Sequence, residues 1–89
     1  MKIIYRQELP VNKKIDNIEI GDILVDDCDD LFLIIKEIDN TIRLFEIQTN
    51  FLQDLKHDNI DNLKEDIFSG KTPLIMDVIK KNRFSLAVE

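Results

Sequence analysis

An α+β domain built on an antiparallel β-meander is the fold class that these 89 residues predict, and three observations predict it. Apolar runs at Ile23-Leu24-Val25, at Leu31 to Ile38 and at Ile42 to Ile47 are separated by clusters of Asp and Asn, the chemistry of tight turns. Beyond them the apolar spacing changes to the i, i+3, i+7 stripe of a short amphipathic helix, at Ile60, Leu63 and Ile67. Finally, Arg83 to Val88 alternates, with Phe84, Leu86 and Val88 on one face, as a strand does.

Taken in order, residues 2–6 read as a short strand that stops at Pro10, because proline donates nothing to a ladder. Residues 11–19 are polar around the isolated anchors Ile15 and Ile18 and read as a loop or irregular edge. Gly21-Asp22 is a turn pair that launches the strand Ile23 to Val25, which ends in Asp26-Asp27-Cys28-Asp29-Asp30. The next strand is apolar on both faces from Leu31 to Ile35, as suits a central strand in a core or a strand lining a small barrel. Asp39-Asn40-Thr41 turns the chain into the third strand, since Asp and Asn tolerate left-handed backbone angles. Phe51-Leu52 begins a brief fourth.

The helix is expected at about residues 59–68, with Asp58 or Asn59 as N-cap and Ser69-Gly70 as the stop. Phe68 is a further candidate for its apolar face. Residues 74–81 are open between helix, for which Thr72-Pro73 would be a good start, and strand. The composition of Leu74 to Ile79 favours a strand, and with the tail it makes a closing hairpin. Phe32, Phe45, Phe68 and Phe84 are the expected core aromatics, and Tyr5 and Phe51 the expected surface ones.

The length suits a single domain over residues 1–89. With 15 Ile residues, the chain has the apolar content for a core. Cys28 is the single cysteine, so no intrachain disulfide forms, and no apolar run reaches signal-peptide or membrane-spanning length. A reducing cytoplasm is the expected location. Net charge is −6, and residues 16–35 hold seven acids and no base. Phosphate-backbone binding needs clustered Lys and Arg, so direct nucleic-acid binding is not expected, and neither is a membrane. Ile, Asn and Lys number 31 together, and their A- and T-rich codons point to an AT-rich genome, such as those of low-GC bacteria and their phages.

The candidates for chemistry are few. The string from Asp26 to Asp30 has too little in common with a calcium loop, which needs acids at alternating positions, a glycine and a distal Glu. Its plain reading is a solvated hairpin turn; its functional one is an acidic docking patch of Asp22, Asp26, Asp27, Asp29 and Asp30. His57 beside Asp58 reads as a surface histidine next to a helix cap, because adjacent residues rarely align for acid–base work. Carboxylates around Cys28 suppress its thiolate, so it is not read as a nucleophile. Two glycines build no phosphate loop, and no triad context is present, so the expectation is no enzyme, no metal and no cofactor.

The stretch Ile20-Gly21-Asp22-Ile23-Leu24-Val25, then Leu31-Phe32-Leu33-Ile34-Ile35, then Ile42-Arg43-Leu44-Phe45-Glu46-Ile47 resembles small SH3-like barrels among uncharacterised phage and prophage proteins of low-GC bacteria. The resemblance covers roughly residues 20–68. It departs where acids replace a glycine-containing first turn. It implies a small barrel and a mobile-element origin, and it brings no functional residues. The resulting expectation is a non-enzymatic, acidic protein-binding module that inhibits a host protein such as a defence nuclease, an anti-CRISPR-like role. The alternative is a structural subunit or homo-oligomer joined through an exposed strand edge.

Overall fold

The computed structural model describes residues 10–81. The strands read at 2–6 and 83–88 lie outside the described residues, as do Tyr5 and Phe84. Within them the chain runs α1 (Val11–Asp16), β1 (Ile23–Asp26), β2 (Leu31–Lys36), β3 (Ile42–Glu46), β4 (Phe51–Leu52), α2 (Ile60–Ser69) and β5 (Ile75–Ile79). The α+β class holds, with two described helices where one was expected.

The additional helix is α1, in the stretch expected to be a loop. Pro10 starts this helix: its carbonyl accepts the N–H groups of Lys13 and Lys14 at 3.0 and 3.1 Å. The signal was present in the spacing, because Val11, Ile15 and Ile18 are four and then three residues apart and share one helical face. Ile15 and Ile18 are buried and Val11 packs against the core. The two expected anchors are therefore real, and the periodicity joining them was helical.

The five strands form one antiparallel sheet in the order β4-β3-β2-β1-β5. Strands β1 to β4 are the meander, and β5 returns to lie beside β1, so residues 75–79 are strand. Among the described residues the sheet is open: β4 is not joined to β5, and no closed barrel is formed. Extra ladder contacts run past the strand ends, with Gly21 N–H donating to Ile34 O and Ile34 N–H to Asp22 O. Gly21 sits at φ 97°, where a side chain would be strained. A bulge between Val25 and Asp26 lets β5 carry one residue more than β1.

The turn at Asp39 forms as its residues predict. Asn40 takes φ 71°, and the Asp39 carboxylate accepts from both the Thr41 hydroxyl and the Thr41 N–H, with Lys56 on its other oxygen. Those Thr41 hydrogen bonds, the hydroxyl's first, hold the Asp39 carboxyl down at about 2, with Lys56 adding to them. The folded value lies below the ordinary one, so this contribution to stability is complete above pH 4 and is lost as pH falls towards 2. In Asp39→Asn that slope is expected to vanish. Urea unfolding at several pH values between 5 and 2 reads it as a narrowing gap between variant and parent, and a constant gap would show that the turn does not depend on the charge.

Helix α2 also begins where its sequence says. The Asn59 side chain accepts from Asn62 N–H at 2.8 Å, and Gly70 closes the helix in the left-handed region at φ 86°. Leu63 is fully buried, with Ile60 and Ile67 packed against the core, while Phe68 is 53% exposed and is not a core residue.

The core lies on one face of the sheet. Leu24, Phe32, Ile34, Ile42, Leu44, Ile75 and Val78 meet Ile15, Ile18 and Leu63 there, so both helices cover the same side. Pairing places Ile23, Leu33, Phe45, Leu52 and Ile79 on the other face, joined by Val25, Leu31 and Ile35. Phe45, expected in the core, is half-buried on this second face. Among the described residues, no helix is long and apolar enough to cross a membrane.

Candidate functional site

The five aspartates read as one patch divide into an inward pair and an outward three. Asp22 is completely buried. Its carboxylate accepts from Glu19 N–H at 2.8 Å, from Lys81 N–H at 2.9 Å and from the Lys80 ammonium at 2.6 Å. It thereby ties the turn after α1 to the chain leaving β5. Asp26 is also buried, and one of its oxygens accepts from the N–H groups of both Cys28 and Asp30. This is the side-chain turn that Asp builds well, and it shapes the hairpin from within. Both carboxylates are turned inward and committed to hydrogen bonds within the chain.

Asp27, Cys28 and Asp29 are exposed at the hairpin tip, and Asp30 is half-exposed. Asp29 takes φ 67°, a conformation that Asp and Asn tolerate best among residues with side chains. Gln48, on the far side of β2, braces the tip by accepting from Leu31 N–H and donating to Asp29 O. On the other side, Asp27 N–H donates to Leu74 O, which brings the acids beside Leu74 and Met76, 64% and 54% exposed. The tip is thus three carboxylates next to two uncovered apolar side chains. Asp27 and Asp26, in that order, push the Cys28 thiol above its ordinary range, with burial and Asp30 adding to them, so the thiolate is disfavoured. The ligand atoms of Asp26, Asp27 and Cys28 lie within 4.8 Å of one another, but Asp26 already serves two backbone donors.

A second constellation escaped the sequence reading. His57, expected on the surface, is 1% exposed, and its Nδ1 lies 2.6 Å from Oδ2 of Asp66. The adjacent Asp58 is not its partner; Asp66 comes from α2, nine residues on. The clue was an acid between Leu63 and Ile67 on the stripe that docks α2, because a carboxylate on a buried face requires a donor. The His57 backbone also exchanges two hydrogen bonds with Ile42, at 2.7 and 2.8 Å. One residue therefore clamps the edge of β3 and the face of α2 together. With Nδ1 committed to Asp66, Nε2 is the ring nitrogen that has no hydrogen bond among the described residues. His57 lines a cleft of about 30 Å³ with Leu44, Gln53, Leu55, Thr72 and Pro73. That is the space of a single water, far below the roughly 300 Å³ at which small-molecule pockets begin.

The hairpin tip, the Asp22 cluster and this clamp are polar constellations that the fold assembles around residues singled out in the sequence. No protein-family model, no curated protein and no solved structure matches this chain.

Proposed function

We propose that the chain is a non-enzymatic, acidic protein-binding module whose contact surface is the tip of the β1–β2 hairpin. The observation that carries this reading is the outward set Asp27, Asp29 and Asp30 beside exposed Leu74 and Met76. Carboxylates speed encounter with a basic surface, and adjacent apolar side chains supply the desolvated contact that holds the complex. The partner is a host protein with a basic groove, such as the nucleic-acid channel of a defence nuclease. Inhibition follows from occupying that groove. A mobile-element origin and a cytoplasmic location belong to the same proposal. So does kinship with SH3-like barrels, supported by five antiparallel strands whose last returns beside the first, with a helix between β4 and β5.

The test is a pull-down from a low-GC bacterial lysate, with nuclease added, using the parent and a triple variant Asp27→Asn, Asp29→Asn, Asp30→Asn. Asn keeps the shapes and tolerates the Asp29 backbone, so the fold is retained. One basic host protein bound stoichiometrically by the parent, released by salt and held at least about tenfold more weakly by the variant, is the expected result. Equal retention by both chains rejects the tip as the contact.

A further inference from the structure

We propose that Lys14 and Asp77 close the outer edge of β5, so that the sheet of one copy does not add the β5 of a second. The strand requires such a guard. Ile75-Met76-Asp77-Val78-Ile79 carries one charge among four apolar residues. Among the described residues it pairs with β1 alone. An apolar strand with one side unpaired is a template for another chain, and two copies of one antiparallel edge can pair about a twofold axis.

The ladder of β1 shows which backbone groups of β5 point outward. Ile34 N–H donates to Asp22 O, and Asp26 N–H to Asp30 O, so the even-numbered residues in and just before β1 face β2. The odd-numbered ones, Ile23 and Val25, face β5 and pair there with Ile79 and Asp77. Val78 lies between those two and turns its N–H away from β1, to the side where a further strand would bind. That N–H is already taken: Oδ1 of Asp77 accepts it at 2.8 Å.

The same oxygen accepts from the Lys14 ammonium at 2.6 Å. These two side chains come from opposite sides of the sheet. Lys14 belongs to α1, which packs on the core face through Val11 and Ile15. Asp77 stands opposite Val25, on the second face. Since β1 occupies the inner side of β5, the ammonium meets the carboxylate round the outer edge. An incoming strand would have to displace the lysine, and its carbonyl would meet a carboxylate in place of a free donor.

The experiment combines amide hydrogen exchange, at low concentration, with analytical ultracentrifugation of the full chain. In the unaltered protein Val78 is expected to be protected and the chain to sediment as a monomer. In Asp77→Ala the Val78 amide is expected to exchange at least about tenfold faster, the size of one hydrogen bond to a charged acceptor. At higher concentration that variant is expected to self-associate at least about tenfold more tightly than the parent. Lys14→Met, which keeps the stem and the Val78 acceptor, is expected to associate more tightly than the parent and less tightly than Asp77→Ala. An unprotected Val78 in the unaltered chain, or a parent dimer joined through β5, would overturn the proposal. So would a folded Asp77→Ala chain that stays monomeric up to about 1 mM. If Asp77→Ala does not fold, a Lys14→Met chain that associates no more tightly than the parent has the same meaning. Neither variant alters Asp27, Asp29 or Asp30, so failure here is separable from failure of the binding role.

Discussion

Asp22→Ala is expected to lower the free energy of unfolding by about 3 kcal/mol. The side chain is completely buried, and three donors converge on it: Glu19 N–H, Lys81 N–H and the Lys80 ammonium. Removing the carboxylate leaves two backbone N–H groups in the interior with no acceptor. Each such group costs about 1–3 kcal/mol, the larger part of the effect. The ammonium contributes less, because Lys80 is 38% exposed and can turn to water. Lys80→Met is therefore expected to cost less than Asp22→Ala, because the Glu19 and Lys81 N–H groups still hold the buried carboxylate, and the difference separates the ion pair from the turn that Asp22 organises. Chemical denaturation of both variants decides the matter. Equal losses would mean that the ion pair, and not the backbone donors, is what Asp22 supplies.

The second large effect belongs to the buried pair under α2. His57→Ala and Asp66→Ala are each expected to cost about 3 kcal/mol, since each strands the other partner in the interior. Helix α2 has few other anchors: Leu63 is its fully buried apolar residue, and Asp66 is the other residue that it buries. The Asp66 backbone carbonyl keeps its bonds to Lys71 N–H and Ser69 Oγ in either variant, so the helix end itself is not undone. Lys71 Nζ, 3.8 Å away and 67% exposed, cannot take the place of the imidazole. The double variant is expected to lose less than the sum by about 1–3 kcal/mol, the coupling of two groups in direct contact. Additive losses would show that the two side chains act independently and that the clamp is not a unit.

The local elements were legible because their causes are local. The turn at Asp39 to Thr41, the Asn59 cap, the Gly70 stop and the meander each rest on residues within a few positions of one another. The choice of strand for residues 75–79 had the same basis. Helix α1 was misread for a correctable reason: the spacing of Val11, Ile15 and Ile18 is helical, but the polar residues between them and Pro10 before them concealed it. Phe68 was misread because the helical stripe was drawn one residue too wide, and Asp66 takes the buried position that the stripe already contained.

By itself, then, the sequence determined the class of fold, the order of the strands from β1 to β4, the ends of α2 and the acidity of the first hairpin. The tertiary structure alone decided what each acid does. Five aspartates that look alike in sequence became two buried acceptors and three outward charges; the donors to Asp26 are local, but the burial of both acceptors comes from the packing of the whole chain. Asp22 finds two of its three donors 58 and 59 residues away, and Asp66 meets His57 only when α2 docks on the sheet. Burial makes an unpaired carboxylate expensive and a paired one structural, and the pairing depends on packing that no short window of sequence contains.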